Sequence, residues 1–419
     1  MRKELSVRLN GVEIGTLFLI NGKMEFVYSE KAKFPISLSL PLQKEPYKEN
    51  VCRAYFGGLL PENYNMRDLL AKKYNININD DFKLLEAIGR DCAGAISFHQ
   101  KDEFELEQEF VKIKGKILSE QELIKYIEEL PYKPYMGNRL SLSGAQEKTA
   151  ICIIDNQFAF PDKDIPTTHI IKTALPKYIQ SVQNEYICMS AAKKIGIETP
   201  KVEIQRLNNL EFLLIERFDR DIEEYCNGNI DDSFGRTKDC KTCTNHSVKK
   251  CLRMKRILQE DFAQSLGVKS RDKYSVTFKD CLKILNKTTI PAMEKQRFVK
   301  RVIFNYLIGN TDAHSKNFSL SFYGEDNYIS LAPAYDILCS SVYDCDQRIA
   351  MKIGKAKFYN EVSENDWQIF AQDLDLSYKF IKTELKRQKD SIIDIIDLLV
   401  KETDCEIGYR ILEYVKTKV

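Results

Sequence analysis

The feature that most constrains the fold is a change of hydrophobic period near residue 256. Before it, "TAICIID", "THIIKT", "KVEIQRL" and "EFLLIERF" are short apolar runs rich in β-branched residues, and a single helical stretch, "QNEYICMSAAKKIGI", lies among them. Runs of that length and composition read as strands. After it, "QEDFAQSLG", "TFKDCLKILNK" and "AMEKQRFVKRVIFNYLIGN" carry helical spacing, and strands return only around "SLSFY" and "YISLA". A β-rich lobe followed by a helical lobe is an α+β arrangement whose junction can clasp a nucleotide.

Upstream, "LSVRL", "VEIGTLFLI" and "KMEFVY" are separated by Asn10-Gly11 and Asn21-Gly22, the pairs that supply positive φ to type I′ hairpins, so the chain opens as a β-meander. Helical patterns such as "MRDLLAKKY" and "DDFKLLEAIG" complete a module that ends near residue 105. Capping boxes start helices at Ser119 (with Glu122) and Ser363 (with Asp366), and a Pro-containing linker, "PYKPYMGN", marks a boundary. At 419 residues the chain accommodates two or three domains, each able to bury a core of its own.

Lys and Arg number 63 against 61 Asp and Glu, so no global field draws the protein to nucleic acid or to an anionic membrane. The opening residues lack an apolar run of signal-peptide length, and "SIIDIIDLLV" is broken by Asp394 and Asp397 as an amphipathic helix would be. The expectation is a soluble, cytoplasmic protein without membrane contact.

The polar stretch "GNTDAHSKNFSL" follows an apolar helix pattern. Asp312 and Asn317 stand in D-x-x-x-x-N spacing, which places a carboxylate near a substrate hydroxyl and an amide oxygen near a metal. Asp336 lies nineteen residues further on, after a hairpin pattern, where a second metal ligand is expected. Lys172 ends the strand "THIIK", Glu185 lies in the next helix, and "ERFDR" (216–220) follows a strand as a hinge would. Singly, each has an ordinary account: Asp and Asn as turn residues, Lys172 as a surface lysine, Glu185 as a first-turn acid. Their order along the chain is what points to phosphoryl transfer.

These motifs, with "FGGLLPE" (56–62), "IGRDCAGAISF" (88–98), "SLSGAQEKTAI" (141–151), "NEY" (184–186) and "YDI" (335–337), resemble the HipA-type serine/threonine kinases, the toxin half of bacterial toxin–antitoxin pairs. The resemblance implies a two-lobed, protein-kinase-like fold preceded by a subdomain of β-meander plus helices. It divides the chain into an N-terminal subdomain (1–105), a linker and β-rich lobe (106–221), a Cys-rich insertion (222–256) and a helical lobe (257–419). It implies ATP and Mg²⁺ as cofactors, Asp312 as catalytic residue, and Asn317 and Asp336 as magnesium ligands. Lys172 would hold ATP phosphates, Glu216, Arg217 and Phe218 would form the hinge, and Ser143, Gly144, Ala145, Gln146, Glu147 and Lys148 the phosphate loop. His314, Lys316 and Tyr335 would join the ATP site, with loop bracing as the other account of His314. "SGAQEKT" lacks the second glycine of a Walker A loop, which disfavours a P-loop NTPase.

The resemblance further implies autophosphorylation at Ser141 or Ser143, an aminoacyl-tRNA synthetase or another translation protein as substrate, growth arrest, and a HipB-like, DNA-binding antitoxin as partner. The insertion departs from the family. Cys240 and Cys243 form C-x-x-C, and with Cys226 and Cys251, or with His246 replacing one thiolate, they present a structural zinc set; a thiol-bearing loop is the competing account. Two rivals stand beside the kinase: a catalytically weak binding protein acting through an antitoxin, and a zinc-supported nucleic-acid module.

Overall fold

Two Asn-Gly turns shape the first sheet of the computed structural model, which describes residues 2–101, 111–129, 148–162, 165–227, 250–324 and 326–419. Asn10 and Gly11 take φ of 48° and 82°, and Asn21 and Gly22 take 51° and 77°. That is the backbone a type I′ turn requires. The turns join β1 (Arg2–Leu9), β2 (Val12–Ile20) and β3 (Lys23–Tyr28) into the expected meander. Helices α1 (Glu49–Gly58), α2 (Tyr64–Tyr74) and α3 (Asp81–Ile88) follow, and β4 (Ile96–His99) closes the sheet in the order β3-β2-β1-β4. Asn63 and Asp80 start α2 and α3 by accepting from Met66 N and Lys83 N, which satisfies donors the first helical turn leaves open.

The β-rich lobe contains β5 (Val111–Lys112), β6 (Gly115–Ile117), α4 (Glu120–Glu129), β7 (Lys148–Ile154), β8 (Gln157–Pro161), β9 (His169–Thr173), α5 (Ser181–Lys194), β10 (Val202–Leu207) and β11 (Leu210–Glu216). Six strands form one sheet in the order β10-β11-β9-β7-β8-β6. Helix α5 stops where Gly196 takes φ +90°, with Ile197 N bonding back to Ala192 O and Pro200 just beyond. The segments on either side of residues 228–249 are paired: β12 (Arg220–Asn227) runs antiparallel to β13 (Lys250–Arg256), and β5 adds to β13.

The helical lobe has β14 (Leu258–Asp261), α6 (Phe262–Ser265), α7 (Phe278–Leu285), α8 (Pro291–Ile308), β15 (Ser319–Tyr323), β16 (Tyr328–Leu331), α9 (Glu364–Asp373), α10 (Tyr378–Thr403) and α11 (Glu406–Lys416). One expectation fails here. "QEDFAQSLG" carries helical spacing, yet Leu258–Asp261 is a strand paired with β15, Leu258 opposite Phe322 and Asp261 opposite Ser319. In so short a window the two periods are hard to separate, and pairing with a distant strand decides the outcome. Helix begins only after Asp261, which forms a capping box with Gln264.

The apolar core crosses from one module into another. The main apolar cluster runs without a break from Leu5, Phe26 and Phe56 of the N-terminal module through Phe262 into Phe298 and Phe304 of α8. A separate cluster under the six-stranded sheet holds Leu123, Ile127, Ile151, Ile171, Phe212 and Leu214. Module and helical lobe therefore bury apolar surface against each other, and Gln264 Nε2 adds a 2.8 Å bond to Tyr55 O. In α10 Ile392 and Ile396 are buried while Asp394 is exposed, the amphipathic pattern expected. Among the described residues no helix is long and apolar enough to cross a membrane.

Candidate active site

A cavity of about 1080 Å³ lies between the β-rich and helical lobes and is also walled by the N-terminal module. Strand alternation explains which cation enters it. In β9, Ile171 packs in the sheet core, so Lys172 points to the opposite face. Its Nζ donates to Glu185 Oε1 of α5 at 2.6 Å and to Asp336 Oδ1 at 2.5 Å. The Lys172 and Glu185 side chains are only 7% and 5% exposed. Burial pulls the ammonium toward its neutral form, but the Asp336 and Glu185 charges outweigh it and hold the Lys172 pKa above its usual value. Asp336, only partly buried, is held well below the carboxylate range by Lys172 and Lys148 against the pull of that burial, and stays ionised. Burial raises the Glu185 pKa, and the Lys172 charge opposes that rise.

Lys148 sits opposite Lys172 in the β7–β9 register. Burial and the adjacent Lys172 charge pull its pKa down to about 8. Two lysines from neighbouring strands thus stand on one sheet face at the cavity wall, with the Glu185 and Asp336 carboxylates beside them. Asp336 itself takes φ +58°, a left-handed conformation that Asp tolerates better than most residues.

The opposite wall comes from the loop that follows α8. Pro291 starts this helix at a position where a missing N–H costs nothing, and Gly309, at φ +78°, ends it. A Cβ on Gly309 would stand 2.5 Å from Tyr414 Cε1, so the turn admits glycine alone. The chain then enters the Asp312 loop, which is held at several points. Thr311 N donates to Ser340 Oγ at 2.8 Å, Tyr359 OH to Asn310 O at 2.8 Å, and Asn317 Nδ2 to the Asp312 backbone O at 3.1 Å. Asp312 remains exposed, and its Oδ1 accepts from Tyr274 OH at 2.9 Å. His314 is 6% exposed, lines the cavity, and its Nδ1 has no hydrogen-bond partner. Burial and Lys273 lower its pKa, leaving a neutral imidazole.

Lys148, Lys172, Glu216, Arg217, Phe218, Asp312, His314, Lys316, Asn317, Tyr335 and Asp336 all line this one cavity. Two cations are nonetheless engaged elsewhere. The Arg217 guanidinium bonds Asp219, Thr167 and Cys92 O, tying the end of β11 to the N-terminal module. Lys316 Nζ bonds Asp261 Oδ2 at 2.5 Å and Gly58 O at 3.3 Å. Phe218 stacks on Tyr335, centroids 5.5 Å apart, and Tyr335 OH donates to Lys316 O at 2.8 Å. Ser141 and Ser143 to Glu147 lie outside the described residues, as do Cys240, Cys243 and His246. The backbones of Cys226 and Cys251 are register partners across β12 and β13. Among the described residues no three or more His, Cys, Asp or Glu side chains gather as a metal site.

Sequence reasoning missed three residues of the site. Glu62, from the end of "FGGLLPE", pairs with Lys273 at 2.9 Å and lies 3.6 Å from Lys316; these two cations outweigh its burial and hold it below the usual carboxylate range. Lys273 and Tyr274 come from a 3₁₀ turn, Ser270–Ser275, that carries no motif.

A strand lysine bridging a helix carboxylate and a post-hairpin aspartate, across a cleft from a D-x-x-x-x-N loop, defines a protein of the two-lobed, protein-kinase-like class. The HipA N-terminal domain model matches residues 5–99 and the HipA-like C-terminal domain model residues 140–404. The chain belongs to the HipA family. It is 32% identical to the Sinorhizobium fredii protein Y4mE over 399 residues, 91% of this chain and 88% of that one. It is 29% identical over 367 residues to the serine/threonine-protein kinase toxin HipA of Shewanella oneidensis, covering 85% of this chain and 79% of that protein. The solved Shewanella oneidensis complex of HipA, HipB and operator DNA superposes with a TM-score of 0.79 at 26% identity, covering 99% of this chain and 95% of that one.

Proposed function

We propose that this protein is an ATP- and Mg²⁺-dependent protein serine/threonine kinase of the HipA toxin type. The observation that carries the reading is Lys172 bonded to both Glu185 and Asp336 in the cavity that Asp312 and Asn317 also line. Phosphoryl transfer asks a protein mainly for positioning and for charge stabilisation. Lys172, held by Glu185, steadies phosphates with Lys148 beside it. Asp312 takes the proton of the acceptor hydroxyl. The ionised, half-exposed Asp336 and the amide oxygen of Asn317, whose nitrogen is committed to Asp312 O, suit a hard divalent cation. Magnesium, when bound, neutralises charge on the transferred phosphoryl group.

In the same reading residues 1–105 form an N-terminal subdomain, 106–221 the nucleotide lobe with Ser143–Lys148 as phosphate loop, 222–256 an insertion and 257–419 the catalytic lobe. Autophosphorylation at Ser141 or Ser143 would add about −1.5 to −2 charge beside the ATP phosphates and silence the enzyme. The substrate class is a translation protein such as an aminoacyl-tRNA synthetase, and a HipB-like antitoxin supplies DNA contact. The match to HipA from a HipA, HipB and operator DNA complex supports such a partner.

The test is transfer of label from γ-labelled ATP with Mg²⁺ into the purified chain and into proteins of a bacterial lysate. The wild-type chain should transfer label, and mass spectra of the 139–148 peptide should carry phosphate. Asp312→Gln and Asp336→Gln should transfer none while melting as cooperatively as wild type. A wild type that is inert while its 139–148 peptide is free of phosphate, or activity retained in either variant, would refute the assignment.

A further inference from the structure

We infer that Tyr274 is the positioning residue for Asp312 and that the N-terminal module holds Tyr274 in place through Glu62. The inference rests on the kinase reading above and deepens it.

Tyr274 is 53% exposed at the cleft, where water can satisfy a phenol, yet its hydroxyl donates to Asp312 Oδ1 at 2.9 Å. The contact is built from three sides. The preceding residue, Lys273, is only 12% exposed and bonds Glu62 Oε2 at 2.9 Å, fastening the turn to the N-terminal module. Ser315 Oγ donates to Lys273 O at 2.8 Å, fastening the same turn to the Asp312 loop. The Tyr274 ring meets His314 edge to face, centroids 5.3 Å apart at 81°. Burial and the Asp312 charge raise the Tyr274 pKa, so the hydroxyl remains a donor.

An exposed aspartate is free to exchange rotamers, and a base that samples several orientations presents the reactive one only part of the time. With Oδ1 taken by Tyr274, the second oxygen is left for the acceptor hydroxyl. The order of contacts, Glu62 to Lys273, its neighbour Tyr274 to Asp312, makes the N-terminal module part of the catalytic apparatus.

Tyr274→Phe keeps the ring on His314 and removes only the donor. With γ-labelled ATP, Mg²⁺ and the acceptors above, its kcat should fall about tenfold or more while KM for ATP stays within about twofold of wild type. Glu62→Gln should lower kcat in the same sense, and Tyr274→Phe with Glu62→Gln should be no slower than Tyr274→Phe alone, because both act through one contact. A fold defect would not leave KM for ATP untouched. Wild-type kcat in Tyr274→Phe, a rise in KM at constant kcat, or additive losses in the double variant would each overturn the inference while the kinase reading stands. No label transfer by a wild-type chain whose 139–148 peptide is free of phosphate would overturn both.

Discussion

Lys172→Met isolates the pair at the centre of the site. It removes the ammonium while keeping an unbranched side chain of similar length, and it leaves Glu185, 5% exposed, without its partner. Asp336 also loses a bond, but its side chain is 38% exposed and water can replace it. Removing one partner of a buried pair costs about 3 to 5 kcal/mol. Glu185 can limit the cost by taking a proton; from an unfolded carboxyl pKa of about 4.3 that costs about 5 kcal/mol at pH 8 and only about 1 kcal/mol at pH 5. The sign follows from the direction of the shift. A carboxyl with its folded pKa raised binds its proton more tightly when folded, so the variant loses stability as pH rises above the carboxylate range. Urea unfolding of wild type, Lys172→Met and Lys172→Met with Glu185→Gln at both pH values reads this directly. The single variant should be far weaker than wild type at pH 8 and close to it at pH 5, and the double variant should recover most of the loss. An equal deficit at both pH values, or a double variant no better than the single one, would refute the account of Glu185 as a buried charge dependent on Lys172.

Lys148, with its pKa near 8, should bind nucleotide phosphates best while protonated. Fluorescent ATP titrations should therefore show affinity falling as pH rises through about 8, and Lys148→Met should be about tenfold weaker at neutral pH and flat across that range. Glu260 is buried where β14 meets the N-terminal module, with Oε1 accepting from Leu38 N and Oε2 without a partner. Burial raises its pKa to about 7. Its protonated form is the one folding favours, so its contribution is present below the carboxylate range and lost as pH rises through about 7. Wild type should lose about 3 kcal/mol relative to Glu260→Gln between about pH 4.5 and about pH 8 in chemical unfolding.

Much of the site was readable because its parts depend on local rules. Lys172 reaches the cleft through strand alternation from Ile171, and the Asp312 loop follows a helix whose end is marked by Gly309. The capping boxes at Ser119, Asp261 and Ser363 act within four residues, although only the first and last were read. Glu62 gave no such sign: its partner Lys273 is 211 positions away. Tyr274 was hidden for the same reason, since its meaning comes from Asp312, 38 residues on. Arg217 carried a hinge motif, yet its side chain is turned into bonds with Asp219, two positions on, and with Asp91, 126 positions back, and no short window reveals the second.

Local order was therefore settled by the sequence alone: the meander with its Asn-Gly turns, the strand-rich and helix-rich halves, the caps, and the chemical types at positions 172, 185, 312, 317 and 336. Periodicity, capping and turn chemistry act over a few residues, so they are written where they act. Tertiary structure alone decided that Leu258–Asp261 pairs as a strand, that the N-terminal module and helical lobe share one core, and that Glu62 and Tyr274 close around the Asp312 loop. Those outcomes depend on surfaces brought together from distant parts of the chain, and burial and ion pairing exist only once they meet.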